Sequence, residues 1–180
     1  MSREVLILPA RLTVEELADR IRRPLEEVQT ALRHRNEPDT PEEILGADVA
    51  ISVATELGVR VSVESRDLAL ERLYEFETRG EMGAHVGGRA GALVDGVVTG
   101  LDELDEMIQS VSEHWSVARM PVIDRNIIRI GLYELRSDPT VPTAVVVSEA
   151  VRLAQTYSTE RSGSFVNGVL ATLAKTIRPK

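Results

Sequence analysis

Apolar residues recur every three or four positions over most of the chain, which is the spacing of an amphipathic α-helix. Residues 65–180 show this pattern throughout, and Pro121 and Pro142 stand at the start of two of the apolar stripes. Proline is favoured at the first position of a helix. Helices joined by short loops pack antiparallel to their neighbours. The pattern therefore predicts an all-helical bundle over residues 65–180.

The beginning of the chain combines helices with two short apolar runs. Val5–Leu8 is closed by a proline, and Val59–Val63 alternates apolar and polar residues, so both are predicted to be strands. Between them, "TVEE" and "TPEE" have the spacing of a helix-capping box, with Thr13 and Thr40 as the capping residues. Residues 1–64 are therefore predicted to form a small α+β domain in the order strand, three helices, strand, with the two strands paired.

Two details of the bundle are also predicted. Residues 94–111 carry one apolar stripe and are expected to form a single long helix. Asn167-Gly168 would favour a turn on its own, yet the apolar residues around it keep a helical spacing. We expect a helix there, in which Gly168 lets a neighbouring helix approach closely. The hydroxyls of Ser162 and Ser164 are expected to cap it.

The composition indicates a globular protein of the reducing cytoplasm. Hydrophobic residues make up 43% of the chain and charged residues 28%, and there is no cysteine. No apolar run approaches the length that spans a bilayer, so no membrane association is expected. The net charge is −8, but residues 119–180 contain nine Lys and Arg against five Asp and Glu. An acidic protein with a basic end can still bind an anionic polymer locally.

The sequence contains no motif for catalysis, for a metal or for a cofactor. The glycine-rich stretch 83–91 lacks the GK[ST] ending of a phosphate-binding loop and follows a helix, so it is interpreted as a connector. His34, His85 and His114 are too far apart to have a metal-ligand spacing. We therefore predict that the protein is not an enzyme and needs no cofactor.

Several motifs of the bundle in combination resemble the transcription antitermination factor NusB family. They are "IIRIGLYEL", a "VP" helix start, "SEAVRLAQTY" and "FVNGVL", with "RDLALERLYEF" resembling the first family helix. The resemblance covers residues 65–180 and implies a bundle of two three-helix halves. It also implies an adaptor that binds the boxA element of nascent RNA with ribosomal protein NusE and joins the RNA polymerase antitermination complex on ribosomal RNA operons. Bundles of this type also pair as homodimers.

The resemblance implies two groups of contact residues. Tyr74 and Phe165 match the RNA-facing surface and could stack on unpaired bases, although core packing is the alternative for both. Arg161 precedes the last helix and could contact phosphate there. The RNA-binding residues carried over are Arg66, Tyr74, Arg161, Phe165 and Asn167, whose amide could instead bind backbone. Asp124 and Arg125 match the partner-binding face, and a solvated first helical turn is their alternative.

Arg129 lies within an apolar run of the bundle. Its stem should be partly buried and its guanidinium paired, with Glu134 or Glu149 as the predicted partner.

The chain departs from the family immediately before the bundle. Family members open with an arginine-rich arm, but here the aligned residues are "SVES" followed by the single Arg66. The first region instead looks like the small N-terminal domain of bacterial translation initiation factor two, through "TVEELA", Pro24, Val28 and "ELG". Its first two helices contain a basic cluster that could replace the arm or be an ordinary solvated face. The cluster includes Arg22, Arg23, Arg33 and Arg35.

Two other functions remain open from the sequence. A protein-interaction scaffold of the transcription and translation machinery with weakened RNA binding would fit the missing arm and the negative charge. The RNA-binding half of a ribosomal RNA methyltransferase has a similar bundle, but 180 residues leave no room for a cofactor-binding half.

Overall fold

The computed structural model describes residues 6–81, 86–112 and 115–179. The chain separates into two compact units, residues 1–68 and 69–180. The division lies within the first turn of a helix that begins at Ser65. The molecule is mainly helical, as predicted, and among the residues that the structure describes the short strands lie in the first unit.

The described residues of the first unit form four strands and three complete helices. In chain order they are β1 Leu6–Leu8, β2 Arg11–Thr13, α1 Val14–Ile21, α2 Leu25–Arg33, β3 Ile44–Gly46, α3 Ala47–Glu56 and β4 Val61–Val63. The two predicted strands do pair, in parallel, with Leu8 opposite Val63. The other two strands form a separate antiparallel pair in which Thr13 lies opposite Ile44.

The predicted capping box at Thr13 is confirmed. The Glu16 amide donates to the Thr13 hydroxyl at 3.1 Å, and the Thr13 amide donates to the Glu16 carboxylate at 2.9 Å. The apolar face of α1, which includes Leu17 and Ile21, is buried. Burial of this face fixes α1 in the small core of the first unit.

The helix predicted from Thr40 is wrong in its first turn. Residues 40–43 are not helical, Ile44–Gly46 is strand β3, and α3 begins only at Ala47. The carbonyls of Pro41 and Glu43 accept hydrogen bonds from the free amides at the start of α1. Because these carbonyls bind the start of α1, they are not available for hydrogen bonds within a helix of residues 40–43.

The second unit is a bundle of helices. The remaining elements are α4 Ser65–Arg79, α5 Gly88–Thr99, α6 Leu101–Val111, a short 3₁₀ helix at Val117–Arg119, α7 Val122–Ser137, α8 Thr143–Tyr157 and α9 Ser162–Ile177. Helix α7 is central, because it packs against α5, α6, α8 and α9. Part of the glycine-rich connector, including His85, lies outside the described residues, as does His114.

The single long helix predicted for residues 94–111 is in fact two helices. Gly100 ends α5 and precedes α6, with φ −97° and ψ 16°, outside the helical region. The break allows both segments to keep their apolar residues in one core, including Val97, Leu104 and Ile108. A continuous apolar period in the sequence does not reveal such a bend.

Close helix packing uses a different glycine from the one predicted. A Cβ on Gly131 would lie 2.8 Å from Leu170 Cδ1, so α7 and α9 touch at Gly131. A Cβ on Gly168 would meet nothing within 4 Å, and both Gly168 and Asn167 are exposed. The predicted role of Gly168 as a helix contact is therefore wrong.

Arg129 is buried and paired, as predicted, but its partners differ from the prediction. Its guanidinium donates to both carboxylate oxygens of Asp105 on α6 at 2.7 Å, and to Glu77 on α4 at 3.3 Å. Burial alone would lower the pKa of Arg129, but the hydrogen bonds and charges of Asp105 and Glu77 raise it above its ordinary value. Glu134, one of the predicted partners, pairs with Arg89 instead.

Candidate nucleic-acid interface

One open groove of the second unit, of about 260 Å³, combines aromatic, apolar and basic side chains. Trp115 and Met120 come from the segment between α6 and α7, and Pro121 precedes α7. Arg161 and Phe165 come from the start of α9. The groove is thus formed by the segment after α6 and by the starts of α7 and α9.

The floor of the groove is held by Asp124, in the first turn of α7. Its carboxylate accepts hydrogen bonds from the hydroxyls of Ser158 at 2.5 Å and Ser162 at 2.8 Å. Thr159 adds a third hydroxyl, 2.8 Å from that of Ser162. Asp124 is only 3% exposed, so the alternative of a solvated turn is wrong. The carboxylate fixes the end of α8 and the start of α9 against α7.

The two predicted contact residues at α9 lie together at the groove. Arg161 is the residue before the helix, and its carbonyl accepts the Phe165 amide at 3.3 Å. Phe165 is half-buried, with one part packed against the core, whereas Arg161 is exposed. No ion pair is found for Arg161 among the described residues. The serine hydroxyls do not cap α9 as predicted, because Ser162 bonds to Asp124 instead.

Trp115 is the functional candidate that sequence reasoning missed. It is 58% exposed at the edge of the groove. Gln109 holds its segment, donating to the carbonyls of Ser112 at 3.2 Å and Trp115 at 3.5 Å and accepting the Val117 amide at 3.1 Å. The sequence offered one signal, a single tryptophan in a break between two helices.

The other predicted RNA-binding residues differ in accessibility. Tyr74 is 38% exposed on α4 and is available for contact. Asn167 is exposed on α9, without a side-chain hydrogen bond among the described residues. Arg66 is 9% exposed and pairs with Glu64, whose Oε1 lies 3.4 Å from its guanidinium. Burial raises the pKa of Glu64, and the hydrogen bond with Asp67 adds to that rise.

Arg125, predicted to face a protein partner, is committed to internal contacts. It pairs with Glu77 at 2.6 Å and donates to the carbonyls of Val117 and Ala118 at 3.1 and 3.2 Å. Its side chain is 12% exposed. With Asp124 buried as well, these two residues position the segments around the groove; direct partner contact stays a prediction.

Three of the four auxiliary arginines are bound within the first unit. Arg23 donates to the carbonyl of Leu57 at 2.7 Å, and Arg33 pairs with Asp39 at 3.1 Å. Arg35 pairs with Glu56 and also donates to Ser52. Arg22 is exposed at the end of α1, with φ 53°. Three of the four arginines of the predicted cluster therefore already have partners in their own domain, and the Arg33 side chain stays 58% exposed.

A comparison with protein families matches the sequence model of the NusB family to residues 52–175. The chain belongs to the NusB family. The match begins in α3, before the bundle, and ends in α9. Within the described residues no helix has both the length and the apolar character to cross a bilayer, and no cluster of three or more potential metal ligands occurs.

Curated NusB proteins are similar to this chain over different fractions of its length. Transcription antitermination protein NusB of Clavibacter michiganensis is 48% identical over 47% of this chain, and the match covers 61% of that protein. The protein of the same name from Sorangium cellulosum is 40% identical over 62% of this chain and 90% of its own length. The chain thus spans about three-fifths of the former NusB protein and nearly all of the latter.

Solved NusB structures have the same fold. NusB of T. maritima is 31% identical, with a TM-score of 0.56 over 62% of this chain and 88% of that chain. The crystal structure of antitermination factors NusB and NusE in complex with dsRNA contains a chain that is 30% identical. It has a TM-score of 0.52 over 62% of this chain and 94% of its own.

Proposed function

We propose that this chain is a non-enzymatic transcription antitermination adaptor of the cytoplasm. It binds boxA-type nascent RNA together with ribosomal protein NusE and supports processive transcription of ribosomal RNA operons by RNA polymerase. Membership of the NusB family supports the class of function, as does the similarity to a NusB chain solved with NusE and dsRNA. The observation that carries the proposal is the groove at the start of α9.

The groove has the chemistry that single-stranded RNA requires. RNA is recognised in loops and single strands by aromatic stacking on unpaired bases and by cations on phosphates. Phe165 supplies a half-exposed aromatic face, and Arg161, one helical turn away, supplies an exposed guanidinium. The exposed Tyr74 and the open amide of Asn167 are further contact candidates on this unit.

Two single substitutions test the proposal on the full chain with NusE present. Arg161→Ala should weaken boxA RNA binding and lower the slope of log affinity against log salt by about one, because one phosphate contact is lost. Phe165→Ala should weaken binding by about tenfold and leave the slope unchanged, because stacking is not ionic.

Lys175→Ala is the matched control for these variants. Lys175 is an exposed cation in the last turn of the same helix, and its removal should leave RNA affinity close to that of the wild type. Fluorescence anisotropy of labelled RNA over a salt series measures all three variants. RNA binding that is equal in wild type, Arg161→Ala and Phe165→Ala would contradict the proposed interface.

A scaffold with weakened RNA binding is the second candidate, and three observations on the arginines favour it. The arginine-rich arm is absent, Arg66 is buried against Glu64, and most of the auxiliary arginines pair within the first unit.

We propose residues 1–64 as an interaction module resembling the initiation-factor-two N-terminal domain, and residues 65–180 as the RNA-binding domain.

A further inference from the structure

The exposed tryptophan beside the groove has no explanation in the core of the second unit. Trp115 is 58% exposed, although tryptophan is among the most favourable residues to bury. Its backbone is nevertheless anchored, because the Gln109 side chain is hydrogen-bonded to the carbonyls of Ser112 and Trp115 and to the amide of Val117. A large aromatic side chain that is left exposed on an anchored backbone points to an external ligand.

The shape of the groove limits what that ligand can be. Its volume of about 260 Å³ is below the range of roughly 300–1,000 Å³ of drug-sized ligand pockets. A protein helix is about 10–12 Å wide with its side chains and needs an elongated channel. A single planar ring system suits a small groove whose lining includes both Trp115 and Phe165.

The charge at the rim selects among planar ligands. Arg161 places an exposed guanidinium at the groove, and the one carboxylate in its lining, Asp124, is turned inward to two serine hydroxyls. The ligand therefore combines an aromatic ring with a negative group, which describes a nucleotide. Every base has a π-face, so stacking of this kind does not depend on base identity.

We propose that the groove binds one unpaired nucleotide of single-stranded RNA, with Trp115 stacking on the base and Arg161 contacting its phosphate. This rests on the proposed RNA-binding function and adds to it a residue and a site of defined size. Gln109 is a positioning residue in this arrangement, since it holds the Trp115 segment and does not line the groove.

The only tryptophan of the chain makes the site directly observable. With excitation that spares tyrosine, the emission of Trp115 reports on the groove alone. Single-stranded boxA RNA, added to the full chain with tryptophan-free NusE, should quench this emission. The same RNA annealed to its complement should quench it much less, because its bases are already stacked. A series of RNAs with one abasic position each should include one that binds with little quenching.

Two substitutions of Trp115 distinguish a role in base stacking from a role in the stability of the fold. Trp115→Ala should weaken RNA binding by about tenfold, and Trp115→Phe should restore most of the loss because it keeps an aromatic face. Val145→Ala is the matched control, since Val145 is another exposed apolar side chain and does not line the groove. Far-ultraviolet circular dichroism verifies that each variant is folded.

The outcomes distinguish this proposal from the function on which it rests. RNA binding with unchanged Trp115 emission and an unaffected Trp115→Ala variant would overturn the nucleotide site and leave the adaptor function standing. A blue shift of Trp115 emission on adding NusE without RNA would also overturn it, by showing that protein covers the groove. Absence of any RNA binding would overturn both.

Discussion

At the scale of single residues, burial separates the residues that can contact RNA from those that build the groove. Asp124 and Arg125 were predicted to contact a partner, but their side chains are buried or bonded inside the unit. Arg161 and Phe165 remain accessible at the groove. The sequence supplied the identity and spacing of all four residues. It could not show which carboxylate would accept two hydroxyls from 34 and 38 residues away.

Two glycines of the bundle should respond to alanine in opposite directions. Gly168→Ala should raise the free energy of unfolding by about 0.5–1 kcal/mol, because the site is helical, exposed and open. Gly131→Ala should lower it by about 1–3 kcal/mol, because the new methyl would lie 2.8 Å from the fully buried Leu170 side chain. Urea unfolding followed by Trp115 emission measures both, and equal destabilisation by the two changes would contradict this assignment.

At the scale of elements, Arg129 joins three helices of the second unit. Its guanidinium on α7 forms a two-bond pair with Asp105 on α6 and also contacts Glu77 on α4. The Glu77 carboxylate also binds Arg125, so the network supports the segment that leads to the groove. Buried pairs of this kind are strongly destabilising when one partner is removed.

Removing this guanidinium should therefore have a large effect on stability. Arg129→Ala should lower the free energy of unfolding by about 3–5 kcal/mol, since the arginine is 5% exposed, Asp105 loses the guanidinium that binds it, and Glu77 loses one of its two arginine partners. Arg136→Ala is the control on the same helix: its pair with Glu103 is largely exposed and should cost about 0–1 kcal/mol. Similar urea midpoints for both variants would show that the network has no special role.

Most helices and the pairing of the two predicted strands followed from the sequence, because capping residues and apolar periods are local signals. Two of the three errors share a physical cause. Residues 40–43 have a capping-box pattern, but their carbonyls receive the amides of α1 from elsewhere in the chain. Arg129 pairs with carboxylates 24 and 52 residues away instead of with the predicted glutamates. Gly100 bends the chain within a continuous apolar stripe, which is a local effect. Long-range contacts overrode the local pattern at residues 40–43 and at Arg129.

At the scale of the whole molecule, a family bundle follows a small α+β unit instead of the arginine-rich arm that the family resemblance implies. Three of the four arginines of the predicted basic cluster already have partners inside the first unit, so they offer less free charge to an RNA backbone. Fewer phosphate contacts mean weaker and less salt-dependent binding by the chain alone. We therefore expect that RNA affinity depends on the partner protein more than on this chain.

The affinity of the full chain for boxA RNA, measured by fluorescence anisotropy with and without NusE, tests the proposed function most directly. We predict weak binding by the chain alone and much tighter binding when NusE is present. A scrambled RNA of the same length should not gain affinity from NusE. Absence of boxA binding both with and without NusE would contradict the adaptor function and favour the scaffold.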